Sequence, residues 1–270
     1  MRQFVARTKI APDGTLLVSG DDFRYLKQVL RIKNGDMLSV RLTDGSLCDM
    51  TASQVDSARR EITLQICAKN RAKSAHFVSE NGAKSADSGF PLWLFQFIAK
   101  PQKMDLIVRQ AAECGAEIIV PVIGEYCDKG ALSALKSAGR AERWERIVRE
   151  AMGQSGSAVK TKVLAPMSVV EAADFWKREG GGLSLCIYER DENTVPLHKA
   201  LSSVSGTERA GIAVGAEGGI SPDEVRILAQ EGFCTVHFAT NILRCETAAL
   251  YAIAAVQSAL SERKLWQFKE

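Results

Sequence analysis

Long apolar runs are missing from this 270-residue chain: no stretch reaches the ~18–20 consecutive apolar residues of a membrane span. The opening residues, Met-Arg-Gln-Phe-Val-Ala-Arg, also lack the apolar core of a signal peptide. The expected setting is therefore cytoplasmic, with no membrane partner. Histidine is scarce, at three residues, and the seven cysteines form no CxxC pair. The spacing excludes a zinc site, and the odd count argues against a disulfide framework. No metal is expected. Neither GxGxxG nor GxxxxGK[ST] occurs, so dinucleotide and P-loop chemistry lose their motifs. With 46% hydrophobic and 25% charged residues, a disordered or collagen-like chain is excluded as well.

The net charge of +3 conceals an asymmetry. Residues 1–75 carry 13 Lys/Arg against 8 Asp/Glu, whereas the remainder carries 22 against 24. Such a basic end is either a footprint for a polyanion or a chance excess on a solvated surface.

Two rhythms divide the chain. Met37–Leu42 alternates apolar and polar residues, Asp44-Gly45 supplies a turn, and Ser46–Met50 resumes the alternation. Glu61–Ile66 has the same period of two. One helix interrupts, capped by Asp21-Asp22, with Phe23, Leu26, Val29 and Leu30 on its inner face. Residues 1–72 are expected to form a small β-barrel, and 73–90, polar and aperiodic, a linker.

From residue 91 strands alternate with helices, the pattern of an α/β domain with a parallel sheet covered on both faces. Leu92–Ile98, Ile118–Val122, Leu183–Tyr188, Gly211–Val214 and Phe233–Ala239 read as strands. Met104–Cys114, Arg143–Gln154, 168–178 and Glu246 to Leu260 read as helices. Ser221-Pro222-Asp223-Glu224 has the form of a capping box that starts another, closed by Gly232. The domain is expected to span 91–270.

Ligands of open parallel sheets sit beyond the strands' carboxyl ends. Two segments fall there. Val214-Gly-Ala-Glu-Gly-Gly-Ile220 is either a tight turn that needs glycine for geometry alone or a place where backbone meets a ligand. Ala239-Thr-Asn-Ile-Leu-Arg-Cys-Glu-Thr-Ala248 leads into the last helix. There Glu246 or Thr247 serves as a cap, or Arg244 and Glu246 line a pocket beside Ile242-Leu243.

Taken together, Val214-Gly-Ala-Glu-Gly-Gly-Ile-Ser221 and Ile242-Leu-Arg-Cys-Glu-Thr-Ala-Ala249 resemble the SPOUT-class methyltransferases. More narrowly they are similar to the family that methylates uridine N3 in small-subunit ribosomal RNA. Arg2-x-Phe4, Val29-Leu30-Arg31, Gly35-Asp36, Lys103-Met-Asp-Leu-Ile107, Ala112-Glu-Cys-Gly115, Arg143-Trp144 and Glu150-Ala-Met-Gly-Gln-Ser-Gly156 extend the resemblance along nearly the whole chain. It implies a PUA-like RNA-binding β-barrel, a domain tied in a trefoil knot, S-adenosylmethionine as methyl donor and a homodimer. Gly215, Glu217, Gly218, Phe238, Leu243, Thr247 and Ala248 are the expected cofactor residues, and Arg244 and Glu246 the catalytic ones. In that role Arg244 donates to a uracil oxygen, and Glu246 either orients Arg244 or accepts the N3 proton. Arg2, Arg7, Arg31 and Lys33 are the expected contacts to ribosomal RNA, free or in the assembled small subunit. The chain departs from the family's usual residues at Ala216, Ala239, Asn241, Cys245 and Asp105. The alternatives are a SPOUT enzyme acting on another RNA or on a ribose 2′-hydroxyl, and a non-catalytic RNA-binding or ribosome-assembly protein.

Overall fold

Period-two alternation in the N-terminal third becomes a five-stranded sheet in the computed structural model, which describes residues 3–67, 90–135, 139–189, 194–202 and 209–262. The chain divides into two compact units: Met1–Ser85 with Gly153–Gly156, and Ala86–Met152 with Ser157–Glu270. All but the last residue of the expected 73–90 linker, and Arg2, lie outside the described residues.

The first unit contains β1 (Gln3–Val5), β2 (Thr15–Ser19), β3 (Met37–Arg41), β4 (Leu47–Asp56) and β5 (Glu61–Ile66), in the order β1-β3-β4-β5-β2. The expected hairpin joins β3 to β4. Gly45 takes the left-handed conformation at φ +92°, and the Asp44 carboxylate accepts the Ser46 N–H at 2.8 Å. Alternate residues Met50, Ala52, Ile62 and Leu64 are fully buried, together with Leu16 and Val40. The expected helix is α1 (Gly20–Arg24), which continues through a wider π turn over Tyr25–Val29. That turn shifts the phase, so Phe23 and Leu26 are buried while Val29 is 57% exposed, contrary to the regular helical reading. The cap differs as well. Ser19 occupies the N-cap with no side-chain bond, and Asp21 and Asp22 lie within the first turn.

The second unit is built on an eight-stranded sheet. Its strands are β6 (Leu92–Phe97), β7 (Ile118–Ile123), β8 (Lys162–Val163), β9 (Met167–Ser168), β10 (Leu183–Ile187), β11 (Val195–Pro196), β12 (Ala210–Val214) and β13 (Cys234–His237). The order is β11-β13-β10-β12-β6-β7-β8, with β9 also on β7, and every pairing is parallel. The helices are α2 (Pro101–Glu113), α3 (Lys129–Leu135), α4 (Arg140–Ser155), α5 (Val169–Arg178), α6 (Leu197–Ser202), α7 (Pro222–Gln230) and α8 (Cys245–Glu262). The strands β6 and β12 are buried along their whole length, as continuous apolar runs in a covered parallel sheet should be.

One face of β6 presents Trp93, Phe95 and Phe97 to a core that includes Trp176 and Phe233; Phe95 meets both of the latter edge to face. On the other side, α8 packs on α2, β6 and β12. Its buried stripe is Ala249, Ala252, Ile253 and Val256, while Ala259 is exposed.

Both α5 and α7 begin with complete capping boxes. In the first, the Glu171 carboxylate accepts from the Ser168 N–H and hydroxyl, each at 2.8 Å, and these bonds hold its pKa below the ordinary 4.5. The folded pKa is depressed, so the stabilisation is full above the unfolded value and disappears as pH falls through the folded one. Glu171→Gln should therefore be less stable than the parent near neutrality. The gap between the two urea-denaturation midpoints should close in acid, and a gap independent of pH would refute the assignment.

Candidate active site

The buried strand β12 ends at Val214, and the chain then reverses within four residues. The Gly219 N–H donates to the Ala216 carbonyl at 3.0 Å, with Gly219 at φ +80°. A Cβ on Gly215 would stand 2.7 Å from the Gly219 carbonyl carbon, so two strands of backbone touch where any side chain would intervene. Gly218 is equally confined, its Cβ direction meeting Cβ of Tyr126 at 2.8 Å.

Two buried polar side chains support this turn. Gln96, on β6, donates through Nε2 to the carbonyls of Phe97, Val214 and Gly215 at 2.9, 3.3 and 3.1 Å. Glu224, the N3 residue of the α7 capping box, divides its carboxylate. One oxygen accepts the Ser221 N–H at 2.9 Å and the other the Glu125 N–H at 2.7 Å. The cap thus also ties down the 124–126 loop that carries Tyr126.

The second segment follows β13. Phe238 packs edge to face on Tyr251 of α8, with centroids 4.8 Å apart, and residues 239–244 lead to the α8 start. Both segments meet in a cavity of about 410 Å³ beyond the carboxyl ends of β10, β12 and β13. Ile187, Val214 and Leu243 supply apolar wall, and Glu189, Glu217, His237 and Arg244 the polar groups. Of the expected residues, Gly215, Glu217, Gly218, Phe238, Leu243, Arg244 and Ala248 line it; Thr247 is not among the lining residues.

Glu246 is placed differently from the expected pairing with Arg244. Its carboxylate lies 3.2 Å from Lys103 Nζ on α2 and accepts from the Cys245 thiol at 3.2 Å. Among the described residues no carboxylate pairs with the exposed Arg244 guanidinium. Burial opposes the charged form of Glu246. Its own backbone N–H, the Cys245 thiol and Lys103 outweigh burial and hold the pKa below the ordinary value. Burial, then the neighbouring Glu246, pushes the Cys245 thiol up to about 12, so it stays protonated and acts as a donor.

Other departures from the family pattern are also accommodated. Asp105 is buried, accepting from Arg143 Nε and Nη2 at 2.8 and 2.6 Å and from Trp144 Nε1 at 3.2 Å. Ala216 and Asn241 line the cavity. The remaining candidates belong to the first unit: Arg7 pairs with Asp22 at 3.0 Å, while Arg31, at φ +56°, and Lys33 are exposed. Among the described residues no three His, Cys, Asp or Glu side chains cluster as metal ligands, and no helix is long and apolar enough to cross a membrane. Lys103, Gln96, Glu189 and His237 escaped the motif-based reading, as did the bond from Glu224 to the Glu125 N–H. Lys103 lies in a quoted segment, but its pairing depends on α2 meeting α8.

A parallel sheet with its pocket at the strand ends, lined by a glycine turn and the loop that carries Arg244, defines an α/β ligand-binding enzyme domain. The chain belongs to the RNA methyltransferase family: the RNA methyltransferase domain model matches residues 86–257, and an RNA methyltransferase PUA domain model matches residues 18–48. It is similar to Ribosomal RNA small subunit methyltransferase E of Aquifex aeolicus, 31% identical over 61% of this chain and 67% of that protein. The protein of that name from Buchnera aphidicola is 24% identical, over 92% of this chain and 89% of its own. The fold is shared with Ribosomal RNA small subunit methyltransferase E from Neisseria gonorrhoeae bound to S-adenosyl methionine, at TM-score 0.74, 24% identity and 98% coverage of both chains.

Replacing Gly215 by Ala should cost about 1–3 kcal/mol in chemical denaturation, because the new methyl meets backbone. Gly218→Ala should cost a comparable amount, since the atom it meets is Tyr126 Cβ, which is fixed to the backbone. A substitution without loss at either position would contradict close approach as the reason for glycine.

Proposed function

We propose that the protein transfers a methyl group from S-adenosylmethionine to N3 of a uridine in small-subunit ribosomal RNA. The observation that carries this reading is the convergence of the glycine turn and the Arg244 loop on one cavity. Family membership and the names borne by the relatives support it.

The residues present suit such a cofactor. The cavity is within the ~300–1,000 Å³ of small-molecule sites. Gly215 and Gly218, whose missing side chains let the turn close against Gly219 and Tyr126, both line the cavity. Among the described residues Glu189 has no cationic partner, which suits a ligand carrying positive charge. When bound, S-adenosylmethionine supplies an electrophilic methyl carbon on a sulfonium. Gly215, Gly218, Phe238, Leu243 and Ala248 would hold it.

The chain's own residues then have to deliver a uracil imide in its anionic form. Arg244, exposed and unpaired among the described residues, is the donor available to the uracil oxygens as charge builds there. Glu246 is a poor proton acceptor, because the bonds that keep it ionised also lower its basicity. Its ion pair with Lys103 makes it part of the frame that presents Arg244.

This reading extends to the whole chain. Residues 1–72 form a PUA-like RNA-binding domain in which Arg2, Arg7, Arg31 and Lys33 meet phosphates, and 91–270 form the methyltransferase domain, its strands tied in a trefoil knot. The protein works as a cytoplasmic homodimer on free ribosomal RNA or on the assembled subunit. The basic excess of the N-terminal end supports the first assignment.

The test is tritiated methyl transfer to unmodified small subunits and to transfer RNA, followed by nucleoside mass spectrometry. Label is expected as 3-methyluridine in the small subunit only; label on ribose or in transfer RNA would overturn the substrate assignment. Arg244→Ala should lower kcat by about 10²–10³-fold, the scale of a lost oxyanion donor. Glu246→Gln should leave the pH dependence of kcat unchanged in shape, whereas loss of its alkaline rise would restore Glu246 as the base.

A further inference from the structure

The cavity is bounded by two chain segments distant in sequence, and each carries a carboxylate, on Glu217 and on Glu246. Both carboxylates turn to the same ammonium group. Lys103 Nζ lies 3.2 Å from Glu246 Oε2, 3.6 Å from Glu217 Oε1 and 3.9 Å from Cys245 Sγ. The Lys100 N–H, at the N-cap of α2, donates to the same Glu217 oxygen at 3.2 Å. Lys103 itself lines the cavity, and its side chain retains 29% exposure.

These contacts do more than neutralise charge. An ammonium has three donors and no acceptor, so it can serve two carboxylates at once from a single point. Lys103 projects from the first turn of α2, an element anchored by its buried Met104, Ile107, Val108 and Ala111. Gln96 and Glu224 hold the base of the glycine turn, but Glu217 and Gly218 at its tip are exposed, and Glu246 stands in the first turn of α8, just after the exposed residues 239–242. Lys103 therefore ties the exposed tip of the turn to the start of α8 through one cation.

We propose that Lys103 is a positioning residue that clamps the Glu217 turn and the Arg244–Glu246 segment together, preforming the cofactor cavity before any ligand arrives. The proposal rests on the methyltransferase reading only for the identity of the ligand; the clamp is a property of the free protein. Two like carboxylates drawn to one ammonium would repel each other without the cation between them. Removing it should let both segments relax outward, so that cofactor must then bear the cost of ordering them.

Hydrogen exchange on the ligand-free protein tests the clamp directly. In Lys103→Met, amides of the 215–219 turn, the Lys100 amide and those at 244–248 should exchange about tenfold faster. Lys103→Arg should restore protection, because it keeps the charge and the reach. Glu217→Gln should loosen the 215–219 turn while leaving 244–248 protected. Thermal unfolding of each variant checks that the fold is retained, and Glu217→Gln stands as an independent arm if Lys103→Met does not fold. Unchanged exchange in either segment of Lys103→Met, or failure of Lys103→Arg to restore it, overturns the proposal.

Calorimetry with S-adenosylmethionine separates this proposal from the reading beneath it. The dissociation constant should rise about tenfold in Lys103→Met and recover in Lys103→Arg. If the parent protein does not bind S-adenosylmethionine but the exchange pattern is as expected, the clamp stands and the cofactor assignment falls. Tight binding unchanged by Lys103→Met would overturn the clamp and leave the cofactor assignment in place.

Discussion

Parallel pairing of the large sheet is the constraint on which the site depends. Because β10, β12 and β13 run in the same direction as their neighbours, their carboxyl ends emerge on one edge. Residues that are far apart in the chain, Ile187 to Glu189, Val214 to Gly219 and His237 to Arg244, are delivered to that edge without any local signal linking them. The connecting helices cover the faces, so the strand ends are where backbone groups are left to meet a ligand.

At that edge the packing is tightest where the chain turns. The contact between Gly215 and Gly219 leaves no room for a methyl group; Gln96 donates to the carbonyls that open the turn, and Glu224 accepts the Ser221 N–H that follows it. Both side chains are buried, and each spends its hydrogen bonds on backbone rather than on other side chains. This is an economical way to keep an irregular segment rigid, since backbone groups removed from water need partners in any case. The rigid turn then meets a more exposed partner segment in which Arg244 has no competing carboxylate among the described residues, while Glu246 is held by Lys103 and the Cys245 thiol.

Much of this was legible residue by residue. The hairpin at Asp44-Gly45, the buried run of β6, the Ser221 and Glu224 capping box and the two cavity segments all carry strong local signals, and all appear where those signals place them. The short elements were not legible, among them β1, β8, β9, β11 and α6, because two to six residues are too few to establish a period. The π turn after α1 was also hidden. It moves Val29 out of the core by changing the number of residues per turn, which a regular 3.6-residue template cannot anticipate. The buried face of α8 is marked by Ile253 and Val256 among its alanines.

The sequence by itself determined the two-part organisation of the chain, the parallel α/β character of its larger part and the candidate roles of Gly215, Gly218 and Arg244. Each follows from period, from glycine's lack of a side chain, or from a motif read in order. Only the tertiary structure decided that Glu246 faces Lys103 instead of Arg244. Residues 103 and 246 begin two helices that are distant in the chain, and their carboxylate–ammonium contact exists solely because α2 packs on α8. Local sequence can specify which groups are charged, but distance selects their partners, and distance is set by packing.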